Sequence, residues 1–143
     1  MIENEDEVIA NSLWTATANL APDCPPLSAG VDCDVAVIGA GFTGLSAALH
    51  LAERGQHVVV LETHSPGWGA SGRNGGQVNP GLKEDPDTIE AQFGPTVGGR
   101  MIAMSGNAAQ FVFDLVARLK IDCDARQNGW IQPVHSLGFP RAT

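Results

Sequence analysis

Basic residues are scarce in this chain: 8 lysines and arginines stand against 16 aspartates and glutamates, giving a formal charge of −8 and a pI near 4.7. That balance argues against nucleic acid as a partner, because binding a phosphate backbone needs a basic surface. Cysteine is sparse as well. Cys24, Cys33 and Cys123 make neither an even framework nor a metal-ligand spacing, so they read as reduced thiols of a cytoplasmic protein. No targeting signal is expected from the first residues: MIENEDEVIA carries acids where a signal peptide would carry a cation and then an apolar run. One charge-free run, the 18 residues Val35 to Ala52, has the length of a candidate membrane span. Its three glycines, its strand-like start and the aspartates at its edge, Asp32 and Asp34, argue for a core segment and against a membrane.

What is present supports folding. Hydrophobic residues make up 43% of 143 positions, enough for a packed core and too many for global disorder, within at most one domain by length. Residues 1–32 read as an N-terminal arm, in which Pro22, Pro25 and Pro26 break any regular element. Trp14 could pack this arm onto the body or remain a surface aromatic. Residues 33–143 read as the domain proper.

The most informative stretch is DVAVIGAGFTGLSAALHLAERGQHVVVLE, Asp34 to Glu62. Val35, Val37 and Ile38 predict a buried strand, the turn Gly39-Ala40-Gly41-Phe42-Thr43-Gly44 follows, and helical spacing runs from Leu45 to Glu53. Arg54-Gly55 closes that helix, and a second strand from His57 to Leu61 ends on Glu62, 23 residues after Gly39. Each part suits a dinucleotide. Gly39 permits the tight turn, Gly41 lets the backbone approach a pyrophosphate, and Gly44 lets the helix pack close to the strand. The helix N-terminus offers N–H groups and partial positive charge to the phosphates, and Glu62 is placed to accept from ribose hydroxyls. The plainer alternative is a βαβ unit whose glycines only make a turn.

The second informative run is Gly69-Ala70-Ser71-Gly72-Arg73-Asn74-Gly75-Gly76-Gln77, inside a glycine-rich stretch, 63–81, with almost no aliphatic side chains. Such a loop cannot make core, and long irregular loops in compact domains are usually functional. Backbone amides freed by glycine can point at an anion, and Arg73 adds a planar donor fork. Ser71, Asn74 and Gln77 are suited to the polar edge of a flavin or to its ribityl hydroxyls. A flexible surface loop is the alternative. Beyond it, Asp87 to Phe93 predicts a helix broken by Gly94-Pro95, and a longer helix is expected from about Val97 to Leu119. Its stripe of Met101, Met104, Ala108, Phe111, Leu115 and Leu119 reads as core. Gln127 to Val134 reads as a short strand around Trp130 and Ile131.

Taken together, the two motifs and Glu62 resemble the amino-terminal part of the D-amino-acid-oxidase-like flavoproteins. SLWTATAN, GWGASGRNGGQVNPGLK and GWIQPVHS look most like the gamma-glutamylputrescine oxidase type within that family. The resemblance runs from about residue 12 to residue 136, and LGFPRAT beyond Ser136 is expected to come from an altered or truncated reading frame. It implies an α/β fold, a partial Rossmann-like FAD-binding domain made of the βαβ unit, the glycine-rich loop, helices and a short strand. That domain is expected to be incomplete at the C-terminal end and inactive alone. Gly39, Gly41 and Gly44, with Ala40, Phe42 and Thr43 in the same turn, would hold the pyrophosphate of FAD, and Glu62 the adenosine ribose. Ala70, Ser71, Arg73, Asn74, Gly75, Gly76 and Gln77 would lie along the flavin. The implied reaction is oxidation of a small-molecule amine or amino acid, with hydride passing from the amine-bearing carbon to flavin N5.

No catalytic residue is nominated and no metal site is expected. His50, His57, His64 and His135 have no spaced partner of the kind nucleophilic or metal chemistry requires. Two alternatives remain: an NAD-dependent dehydrogenase domain, which Glu62 would suit equally well, and a truncated remnant without catalysis.

Overall fold

A computed structural model of the chain describes residues 13–131. Two compact units divide after Gly76. The first opens with a single helical turn or so, α1 (Leu13–Thr17), followed by residues without helix or strand up to the sheet. It then forms β1 (Val35–Ile38), α2 (Phe42–Ala52) and β2 (Val58–Leu61), the βαβ order that the apolar periodicity predicts. The strands run parallel, with Val35 opposite Val58 and Ile38 opposite Leu61. Asp34 fastens the open end of the pair, its carboxylate accepting the His57 N–H at 2.7 Å. At the other end Gly39 N–H donates to Leu61 O at 2.7 Å, so the ladder continues into the turn.

Two local expectations need correction. The helix starts at Phe42, not Leu45, because Gly41 takes the extended N-cap conformation and the chain turns helical immediately after it. Nor is β1 buried. Val35 and Val37 are half-buried, while Ala36 is exposed and Ile38 is 79% exposed. A two-stranded sheet with one crossover helix has only one face covered, and the alternation of side chains sends Ala36 and Ile38 to the other. At the far end of α2, Arg54 donates to the His50 carbonyl at 2.8 Å and Gly55 takes a φ of +83°, as expected of a cation-and-glycine stop.

In the second unit α3 runs from Pro86 to Gly106 and α4 from Ala108 to Leu119. Asp85 caps α3, accepting from Thr88 N–H and from its hydroxyl, each at 2.9 Å, with Pro86 at the first helical position. The Thr88 N–H, first, and then the Thr88 hydroxyl hold the Asp85 carboxyl below its ordinary range. Gly94 (φ +76°) kinks α3 at the expected break. The single helix expected from about Val97 to Leu119 is instead interrupted at Asn107. The expected core stripe does not form: the covered positions Gly98, Ile102, Ser105, Ala109, Phe113 and Val116 keep their helical spacing past Asn107, on a face beside the expected one. Met101 and Leu115 are half-buried, and Met104, Ala108, Phe111 and Leu119 are exposed; Ala109, Phe113 and Val116 carry the half-buried face of α4. Residues 127–131, the described part of the expected short strand, form no strand: Gly129 has a φ of +87° and Ile131 is 90% exposed. Residues 132–134 of that strand, His135 and LGFPRAT lie outside the described residues. None of the three cysteines is paired, and among the described residues no helix is long and apolar enough to cross a membrane.

Candidate functional site

The glycine turn brings the first motif together through backbone. Gly39 has a φ of +101°, which a side chain would strain. A Cβ on Gly44 would fall 2.0 Å from Gly39 O and 3.3 Å from Val37 Cγ1, so helix and strand approach only because residue 44 has none. Gly41, the N-cap of α2, has no side chain with which to cap the helix. The positive end of α2 and the bare backbone before it therefore form a surface suited to a phosphate. These features fit a dinucleotide pyrophosphate.

Glu62, at the end of β2, closes on the same turn. Its Oε2 accepts the Ala40 N–H at 2.7 Å and its Oε1 accepts the His64 N–H at 3.1 Å. Those two donors, Ala40 foremost, hold the carboxyl below the usual glutamate range, so it is ionised at neutral pH. An ionised carboxylate has about four lone-pair sites, which leaves acceptor capacity for ribose hydroxyls on an exposed side chain.

The second motif meets the first at Ser71. A short 3-10 turn, Ala70–Gly72, carries Ser71, whose Oγ accepts the Phe42 N–H at 2.9 Å and thereby caps α2 from 29 residues away. A Cβ on Gly41 would lie 3.0 Å from the same Oγ. Gly67 N–H donates to Ala40 O at 2.9 Å, a second tie between loop and turn. Ser71 thus serves the helix N-terminus first, and its hydroxyl hydrogen remains available as a donor.

The other loop residues are arranged around their own backbone. Asn74 Nδ2 donates to Ser71 O at 2.7 Å, and Asn74 Oδ1 accepts the Gly76 N–H at 2.8 Å. Arg73 Nε donates to Trp68 O at 2.9 Å, and its guanidinium carbon lies 4.5 Å from the centroid of the Trp68 ring. His64 stacks on that ring at 4.0 Å. The arginine expected to face an anion is therefore stacked on an indole, an arrangement its planar, weakly hydrated cation favours. Ala70, Gly75 and Gln77 are exposed, and Gln77 begins the second unit.

Sequence reasoning missed Trp68 as the pivot of this loop; a lone indole in a stretch almost free of aliphatic side chains was its signal. It also left Trp14 undecided, and the structure places it on the loop: Nε1–H donates to Asn74 O at 2.8 Å. Among the described residues no group of three His, Cys, Asp or Glu could hold a metal ion.

The model of the FAD dependent oxidoreductase family matches residues 34–142. The chain belongs to this family. Its cofactor is FAD, which sets aside the nicotinamide reading of the turn. The match also continues past Ser136, where the resemblance was expected to stop. Among curated proteins the chain is 42% identical over 119 residues to gamma-glutamylputrescine oxidoreductase of Escherichia coli, covering 83% of this chain and 28% of that protein. It is 44% identical over 100 residues to a Haemophilus influenzae protein named "Probable oxidoreductase OrdL", covering 70% of this chain and 23% of that one. A Rhizobium meliloti protein of the same name is 36% identical over 113 residues, covering 79% and 26%. The chain thus spans 23–28% of these relatives. No solved structure matches it significantly.

Proposed function

We propose that residues 33–143 are the amino-terminal part of a Rossmann-like FAD-binding domain in an amine- or amino-acid-oxidising flavoenzyme, preceded by an arm, 1–32. The observation that carries this reading is the union of the two motifs at Ser71 and Phe42, 2.9 Å apart. The turn alone would fit many dinucleotide proteins. A glycine-rich loop fastened to the same helix N-terminus adds a second wall, which a cofactor longer than its pyrophosphate requires. In this reading Gly39, Ala40, Gly41, Phe42, Thr43 and Gly44 receive the pyrophosphate and Glu62 the adenosine ribose. Ala70, Ser71, Arg73, Asn74, Gly75, Gly76 and Gln77 border the flavin.

When bound, FAD supplies the redox chemistry by accepting hydride from the amine-bearing carbon of the substrate. The protein's own contribution from these residues is to bind and orient. The ionised Glu62 fixes the adenosine end, the positive end of α2 offsets phosphate charge, and the stitched loop presents polar groups at a fixed distance from both. The likeness to gamma-glutamylputrescine oxidoreductase favours a small amine with an amide-linked acidic group as substrate.

Replacing Gly41 with valine tests the cofactor assignment. The branched side chain would enter the space facing Ser71 Oγ, where a Cβ alone already lies at 3.0 Å. FAD should no longer co-elute with the chain on gel filtration, while helix content by circular dichroism stays at the wild-type value. Equal FAD retention by both proteins would overturn the assignment.

A further inference from the structure

Trp14 lies in the five-residue α1, 60 positions before the loop residue it touches. A helix so short does not hold itself in water and persists through what it packs on. Its indole makes two kinds of contact with the second motif. Nε1–H donates to the Asn74 carbonyl at 2.8 Å. The ring edge fills the space over Gly76, where a Cβ would fall 2.6 Å from Cη2 and 2.8 Å from Cζ2. Gly76 also has a φ of +74°, so a residue with no side chain is required there twice over, by backbone and by indole.

The contact reaches further than its immediate neighbours. Asn74 holds Gly76 N–H through Oδ1 and Ser71 O through Nδ2, and Ser71 caps α2 at Phe42. A chain of direct hydrogen bonds therefore runs from Trp14 through Asn74 to Ser71 and the helix N-terminus. We propose that Trp14 is a positioning residue: the N-terminal arm straps the loop 74–76 in place, and through Asn74 and Ser71 it sets the spacing between loop and glycine turn. The strap itself stands on the contacts above; its consequence for FAD rests on reading 70–77 as the flavin side of the site.

Limited trypsin proteolysis of the 143-residue chain, with fragments identified by mass, tests it. Arg73–Asn74 is a tryptic bond inside the strapped loop, and Arg54–Gly55, in the turn after α2, reports general unfolding. Trp14→Phe keeps a ring but removes the N–H. It should raise cleavage at Arg73 relative to Arg54 about fivefold, the Boltzmann factor of one neutral hydrogen bond. Trp14→Ala should raise the ratio further. Coupling supplies a second readout: the harm done by Gly76→Ala should be smaller in the Trp14→Ala background, where the indole no longer occupies the Cβ position. A ratio unchanged in both Trp14 variants, or both sites rising together, overturns the strap. Adding FAD separates the two readings. If the variants open the loop but FAD slows Arg73 cleavage in no protein, the strap stands and the flavin assignment of the loop falls.

Discussion

Glu62 ties two parts of the fold together while keeping acceptor capacity to spare. Its carboxylate is held below the ordinary glutamate range by the Ala40 N–H and then the His64 N–H, so the ionised form is the one that fastens β2 to the glycine turn. A group with a depressed folded-state pKa adds stability above its unfolded value and loses it as pH falls through the folded one. The contribution should therefore be intact at neutral pH and begin to be lost as pH falls below about 4, the ordinary glutamate value, until the carboxyl is protonated in the folded chain as well. Comparing urea midpoints of wild type and Glu62→Gln from pH 7 to pH 3 checks this. The difference should be largest at neutral pH and shrink in acid; a difference constant with pH would show that the charge plays no part. In the same neutral range Glu62→Ala should weaken FAD binding by about 1.5–3 kcal/mol, the range for hydrogen bonds to a charged group. A dissociation constant equal to wild type would remove Glu62 from the ribose. The turn and Glu62 were legible in the sequence because glycine positions and a terminal acid are fixed by local geometry. Trp68 and the stacking of Arg73 on it were not, because stacking between residues in one irregular loop leaves no periodic trace.

The helices teach a different lesson. Gly94-Pro95 announced its kink, since a φ of +76° with a following proline cannot continue a helix. The break at Asn107 gave no such notice: Asn107 keeps a φ of −85° and ψ of −6°, close to helical, and the covered face keeps its spacing across it from Ser105 to Ala109 and Phe113. Following the large apolar residues put Met104 and Phe111 on the covered face, which Gly98, Ser105 and Ala109 line instead. Within α3 the packing across the kink is tight at one glycine and open at the next. A Cβ on Gly98 would lie 2.9 Å from Glu90 Cα and 3.1 Å from Ile89 O, whereas at Gly99 the nearest atom is Glu90 Oε1 at 4.0 Å. Gly98→Ala should therefore cost about 1–3 kcal/mol by overpacking. Gly99→Ala should be neutral or gain up to about 1 kcal/mol from helix propensity. Urea midpoints of the two variants separate the cases, and a Gly98→Ala midpoint at or above wild type would contradict the close approach.

The chain as a whole exposes apolar surface beside the site. Among the described residues the buried hydrophobic side chains are Ala40, Ala48 and Ile89, while Ile38 is 79% and Phe42 68% exposed. The burial expected of β1 failed for that reason: a strand pattern predicts what a face needs, and whether it is covered depends on elements beyond a βαβ unit. In the proposed reading the glycine turn and the 70–77 loop together recognise FAD, not a dinucleotide in general. Calorimetric titration of the chain with FAD, NAD and ADP measures that directly. All three share the adenosine diphosphate that the turn and Glu62 would hold, so only contacts from the loop can set FAD apart. Saturable binding is expected, with FAD at least about tenfold tighter than NAD or ADP, a margin of about 1.4 kcal/mol. NAD or ADP binding as tightly as FAD, or no saturable binding of any of them, would contradict it.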